Sequence, residues 1–142
     1  MMATRKRPWL LNLLIALTVV VCILAFAAHY RNWVRLKEDR IQLLTGVYYL
    51  ELPYEELDSV LWTKKIPEME RRHGFSVWAR EKGVFVDSLL PNRPVYVFVD
   101  DLRRYKLRVR YRDTLILYLN FADSLETQNM YEFLRAKTDI AE

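Results

Sequence analysis

A single transmembrane α-helix joined to a mainly-β (α+β) domain, closed by a C-terminal helix, is the fold class this sequence predicts. Three observations predict it. Residues 9–28 are almost wholly apolar, residues 47–120 break into short segments of strand-like composition, and residues 124–137 return to helical spacing. In a chain of 142 residues this leaves room for one anchor and one domain of common size.

The anchor comes first. Between Pro8 and Tyr30 there is no Asp, Glu, Lys or Arg. Twenty helical residues rise about 30 Å, the thickness of a bilayer's hydrocarbon core. Asn12 and Thr18 are the polar interruptions within residues 9–28, and both side chains can hydrogen-bond within or between helices. Trp9 at one end, with Tyr30 and Trp33 at the other, matches interfacial aromatic belts. Pro8 suits the first helical turn, where its missing N–H costs nothing. Ala25-Phe26-Ala27 imitates a signal-peptidase site, but the run exceeds the ~7–15 apolar residues of a cleaved signal. Val21 before Cys22 is too large for a lipoprotein signal. The reading is a retained anchor spanning residues 8–30.

Topology rests on Lys and Arg near the span. Arg5, Lys6 and Arg7 in the tail at residues 1–7 pull the N-terminus inward, and Arg31, Arg35, Lys37 and Arg40 pull the other way. The N-terminal cluster is denser and contains no acid. The domain is therefore expected outside the cytoplasm, on a single-pass protein.

Charge and cysteine usage exclude some classes. Of the 22 Lys and Arg, three lie in that tail, and the other 19 nearly balance the 18 Asp and Glu. A general nucleic-acid binder needs a clear cationic excess on one face, so no nucleic acid is expected as a partner. The lone Cys22 lies in the apolar run, so no intramolecular disulfide is available.

Beyond the span, no Pro or Gly interrupts residues 9–45, which predicts that the helix continues as a stalk through residues 31–45 and stops at Gly46. Six strands are then expected, at residues 47–52, 59–63, 82–87 (KGVFVD), 95–100 (VYVFVD), 106–112 (KLRVRYR) and 114–120 (TLILYLN). Period-two alternation of this kind reads as half-buried antiparallel strands. A tight turn is expected at Arg112-Asp113. Ser124 can cap a closing helix over residues 125–137, with Glu126 in its first turn and Arg135 and Lys137 in its last. Leu125, Met130, Phe133 and Leu134 form its apolar stripe, and residues 138–142 are expected to fray.

Several phrases, in order, carry a resemblance: LPYEELDSV from Leu52 to Val60, KIP from Lys65 to Pro67, HGF from His73 to Phe75, KGVF from Lys82 to Phe85, and LNFADS from Leu119 to Ser124. Together they resemble the bacterial pleckstrin-homology-like (PH-like) domains, which are often attached to membrane helices. The resemblance spans residues 46–137. It implies a bent antiparallel sheet of six to seven strands closed by a C-terminal helix, an interaction or scaffold role, a bacterial plasma-membrane location, and no catalytic residues. Many members have several spans where this chain has one.

Catalytic signals are sparse. The histidines are His29, at the membrane boundary, and His73, in a His-Gly-Phe turn. With Cys22 in the membrane, the domain holds neither a His/Cys metal site nor a Cys–His nucleophilic pair. No phosphate-cradling glycine loop is present. Glu55-Glu56, Glu68 and Glu70 read as solvated charge, and Asp100-Asp101 likewise, as a turn with local hydrogen bonding. No enzyme, cofactor, metal or small-molecule substrate is expected.

The most pointed feature is the alternation in residues 106–112. Leu107, Val109 and Tyr111 face one side, and Lys106, Arg108, Arg110 and Arg112 the other, the cations ~6.8 Å apart. Three readings are open: a solvated face pairing with cross-strand acids such as Asp100 or Asp101, contact with anionic headgroups, or contact with an acidic partner. The function expected is a membrane-anchored interaction module that binds an unidentified protein partner within a membrane complex. The alternative is an anionic-lipid-binding domain that uses the basic strand.

Overall fold

The computed structural model describes residues 8–140; the expected basic tail (Arg5, Lys6, Arg7) and residues 141–142 lie outside the described residues. Helix α1 runs Pro8–Tyr30. None of its residues is buried, so most of its apolar surface is uncovered among the described residues. It is long and apolar enough to cross a membrane.

The expected helical stalk is absent. The helix ends at Tyr30, and the chain enters strands β1 (Trp33–Leu36) and β2 (Arg40–Thr45) directly. The reason is an alternation that the missing Pro and Gly concealed. Ile41, Leu43 and Thr45 face inward and are almost fully buried, while Gln42 and Leu44 face out. A hairpin of charged residues turns the chain, with the Lys37 N–H donating to the Arg40 carbonyl at 2.9 Å. Strand β3 (Tyr48–Pro53) completes a three-stranded sheet in the order β1-β2-β3.

A short 3-10 turn (Tyr54–Glu56) leads into the second sheet. Its strands are β4 (Leu57–Thr63), β5 (Glu70–Val77), β6 (Arg80–Asp87), β7 (Leu90–Val99), β8 (Lys106–Tyr111) and β9 (Leu115–Asn120), in the order β4-β8-β9-β7-β6-β5. This sheet is mixed, where an antiparallel one was expected: β7 and β9 pair in parallel. The loop after β7 carries β8 past the place beside β7, and β9 then returns antiparallel to β8 into that gap. Helix α2 (Ser124–Ile140) packs on β4, β8 and the 3-10 turn.

The main core lies between the two sheets and α2. Ile41, Leu43 and Leu52 meet Phe98, Leu107, Val109, Leu117 and Leu119 there, with Leu134 and Met130 from the helix. A second cluster of Phe85, Val95, Val97, Val99 and Tyr118 occupies the opposite face of β6, β7 and β9. Ile66 and Met69 cover it from the segment joining β4 to β5. Both faces of β7 are thus buried, which is why residues 95–99 are continuously bulky. At Arg112-Asp113 both residues have positive φ (48° and 56°), and the Thr114 N–H donates to the Tyr111 carbonyl. That is the twist-matched hairpin turn expected there.

The closing helix differs in detail from expectation. Asp123, not Ser124, caps it, its Oδ1 accepting from the Leu125 N–H at 2.9 Å, because the Ser124 hydroxyl instead accepts from Arg104. Leu125 points outward, 62% exposed. The helix also persists through residues expected to fray, with Thr138 buried and its hydroxyl donating to the Leu134 carbonyl.

Leu134→Ala should therefore destabilise the domain by about 2–5 kcal/mol, since it empties a buried leucine site between helix and sheet. Leu125→Ala should be close to neutral. Thermal melts of a fragment lacking residues 1–30 check both. Equal melting temperatures for the two variants would mean that α2 does not close the core.

Candidate functional site

The expected basic stripe is only partly assembled. Lys106, Arg108 and Arg110 do share a strand face, but Lys64 and the loop at residues 102–104 cover Lys106, which is 1% exposed. Its ammonium donates to the carbonyls of Lys64, Leu102 and Arg104 at 2.6–2.7 Å, and burial pushes its pKa below the usual lysine value. Arg110 pairs with Asp113, and Arg112, in the turn beyond β8, pairs with Glu56. Arg108 makes no ion pair among the described residues. Its cross-strand neighbours are Leu61 and Tyr118, neither of them an acid. The expected pairing of the stripe with Asp100 or Asp101 is absent, because those carboxylates are engaged elsewhere.

Asp100 and Asp101 are buried, against the expectation of solvated charge. Asp101 holds the loop after β7 by accepting from the Arg103 N–H and from the Arg103 and Arg104 guanidiniums. These bonds hold its carboxyl below the usual aspartate range. Asp100 forms an ion pair with Lys82, whose side chain is fully buried. Lys82 also donates to Asn32 Oδ1.

Asn32 is the centre of this network. Its Nδ2 donates to the carbonyls of Phe98 and Asn120, both at 2.7 Å. Its Oδ1 accepts from Thr45 as well as Lys82, and its own N–H donates to Asp100 at 3.3 Å. Asn120 extends the network, its Oδ1 accepting from the N–H groups of Asp100 and Asp101. No buried side-chain polar atom among the described residues lacks a partner. A buried pair of charges is tolerable only when its remaining hydrogen-bonding capacity is filled in this way.

Sequence reasoning missed these residues, although a signal existed. Asp100 lies in phase with Tyr96 and Phe98, and Lys82 in phase with Val84, so each extends an apolar face with a charge. Asn32, two residues beyond α1, joins β2, β6, β7 and β9 and so fixes the helix exit to the domain.

Other contacts brace the same junction. Arg80 donates to the Tyr30 carbonyl at 2.9 Å and stacks over its ring at 4.1 Å, placing a cation at the negative end of α1. The Gly46 N–H donates to the Ala28 carbonyl. Gly46 sits in the β2–β3 turn with φ +57°, and a Cβ there would come within 2.5 Å of the His29 ring. Only glycine fits both conditions. His29 meets Phe75 edge-on, ring centres 5.2 Å apart. His73, expected in a loop, lies in β5, stacked on Tyr48 and bonded to its hydroxyl at 2.8 Å.

Two surface features remain. On the outer face of the three-stranded sheet, Trp33, Leu44 and Tyr49 form a cross-strand row, all exposed. It is bordered by a polar row of Arg35, Gln42 and Glu51. Among the described residues, no group of three or more His, Cys, Asp or Glu side chains is placed to hold a metal ion. No protein-family model matches the chain, and neither a curated protein nor a solved structure is similar to it.

Lys82→Met should cost about 3–5 kcal/mol, because it leaves the Asp100 carboxylate buried without its cation. Burial lowers the Lys82 pKa from its usual 10.5, with Asp100 opposing the shift. The unfolded chain thus binds that proton more tightly, and this group's contribution to stability rises as pH climbs from the folded pKa toward 10.5. Denaturant titrations across that range should show the rise in the natural chain and its loss in the variant.

Proposed function

We propose that the chain is a single-pass membrane protein whose domain binds a protein partner at the membrane surface, as a non-enzymatic subunit of a membrane complex. The observation that carries this reading is the Asn32 network, which leaves no linker between the apolar helix and the domain. A domain so held presents its surfaces at a constant height and angle, which suits docking to a neighbour in the same membrane. The Trp33, Leu44 and Tyr49 row is the face we assign to that partner. Exposed aromatic residues beside an arginine, within a polar rim, have the composition of binding hot spots.

The closure of a β domain by a C-terminal helix accords with a PH-like scaffold role, while the parallel β7–β9 pair departs from a wholly antiparallel PH-like sheet. Anionic-lipid binding through the basic strand is the alternative, and the engagement of Lys106, Arg110 and Arg112 within the fold weighs against it. Purification in mild detergent separates the two. A stoichiometric partner, lost on Leu44→Arg with Tyr49→Ala but kept on Arg108→Gln with Arg110→Gln, is the expected result. A chain that purifies alone and binds anionic vesicles in an Arg108-dependent way would favour the lipid reading.

The bacterial plasma membrane is the proposed location, with the domain outside the cytoplasm under the pull of Arg5, Lys6 and Arg7. A reporter that folds only in the cytoplasm, fused after Glu142, should stay inactive. Strong activity would place the domain on the cytoplasmic side.

A further inference from the structure

The β5–β6 hairpin does not stop at the level where α1 ends; it continues back alongside the helix. The two run down together, contact by contact. Lys82 bonds to Asn32, and Arg80 bonds to the carbonyl of Tyr30. The hairpin tip then shares a cleft of about 420 Å³ with Ala25 and Phe26, lined on its own side by Phe75, Val77 and Trp78. From Tyr30 back to Ala25 the helix descends about 7 Å. The tip therefore stands beside the last turn and a half of the apolar run, below the Tyr30 ring.

At that tip Trp78 is 84% exposed and has φ +52°. A bulky side chain in the left-handed region is a genuine outlier that costs energy. Leaving a tryptophan bare in water forgoes the gain from burying it. The fold accepts both costs at one residue. Next to it, the β2–β3 turn makes a similar approach, since Gly46 and Phe75 both face the His29 ring. Gly46 bonds to Ala28, and the next residue, Val47, is 79% exposed. Arg31 stacks over Trp33 at 4.8 Å and Arg80 over Tyr30, so cations and aromatic rings ring the helix where it emerges. Apolar tips below a collar of Arg, Tyr and Trp match the layering of a bilayer's interface.

We propose that Trp78 and Val47, at the tips of these two hairpins, insert into the membrane beside α1 and seat the domain on the lipid surface. The proposal rests on α1 spanning the bilayer. Its occupant is lipid, because the tips stand beside the end of an apolar helix whose residues 9–27 are all exposed. Insertion replaces water around Trp78 with acyl chain and headgroup, so the strained tip gains burial that the isolated domain denies it. It also adds two further contacts to the pivot at Asn32, which limits tilting of the domain about the helix.

The test uses the full chain with Cys22→Ser and one new cysteine, labelled with an environment-sensitive fluorophore. The labelled protein is reconstituted in phosphatidylcholine–phosphatidylglycerol vesicles containing nitroxide-bearing lipid. Trp78→Cys and Val47→Cys report the tips, Ile23→Cys reports the membrane helix, and Leu89→Cys reports the exposed β6–β7 turn at the other end of the sheet. Lipid nitroxide should quench the Trp78 and Val47 labels several-fold more than the Leu89 label, and aqueous iodide should quench them less. If the Ile23 label is quenched while the Trp78 and Val47 labels behave like Leu89, the seat is wrong and the span stands. If even Ile23 escapes lipid quenching, the span is wrong and the seat falls with it. Tip labels shielded from lipid and iodide alike would mean that protein covers them, which also overturns the proposal.

Discussion

The buried network around Asn32 is the constraint on which the rest of the structure depends. Lys82 and Asp100 place two opposite charges in a region without water. The desolvation of such a pair outweighs its attraction unless every spare donor and acceptor is filled. Asn32 fills them, and in doing so places the chain two residues beyond α1 at the meeting point of both sheets. An apolar cluster of similar volume would supply comparable stability, but it would tolerate small slips of one element past another. A set of directed hydrogen bonds would not. The pair thus contributes registry more than energy, holding α1 to β2, β6, β7 and β9 in one arrangement.

That registry explains why the chain abandons the helix at Tyr30. Nothing local stops it: no Pro or Gly occurs until Gly46, and residues 31–40 carry ordinary helix formers. The termination is tertiary. Continuing the helix would take Asn32 away from Phe98, Asn120 and Asp100, leaving a buried charge pair with unfilled bonds. It would also strip Ile41 and Leu43 from the core. Helix propensities of ordinary residues differ by only a few tenths of a kcal/mol per residue, too little to decide the stalk. The buried alternatives outweigh that difference several-fold.

The same distinction separates what was legible in the sequence from what was not. The apolar helix, the strand at residues 95–99, the turn at Arg112-Asp113 and the closing helix each announce themselves through local pattern, and the structure contains them all. The strands β1 and β2 do not, because their hairpin uses charged residues in place of glycine. Strand β5 (ERRHGFSV) is polar and exposed along most of its length, so no periodicity marks it. The parallel pairing of β7 with β9 depends on which side of β9 the loop after β7 passes, and no residue encodes that. The face of Lys106 was read correctly and its burial was not, since the cover comes from Lys64 and the 102–104 loop, remote or irregular segments. Of the site, the aromatic residues Tyr30 and Trp33 beside the end of α1 were visible in composition. The Asn32 network was not, since its members are separated by as many as 88 residues.

A rigid junction changes what the surface of such a domain can do. On a flexible stalk, every face samples every orientation, and a docking patch loses affinity to the ordering it must undergo on binding. Here that cost falls at folding, because Asn32, Gly46 and Arg80 already fix the domain against the end of the helix. The consequence is directional. The Trp33, Leu44 and Tyr49 row begins one residue from the network, so its place relative to the end of α1 is set. The β6–β7 turn, with the exposed Leu89 at its tip, lies at the far end of the same strands. A domain with nearly balanced charge beyond residue 30, no metal cluster among the described residues and one buried polar knot at its root is thereby organised along an axis. Its chemistry is spent on orientation at one end, and its contacts are laid out along the length that orientation exposes.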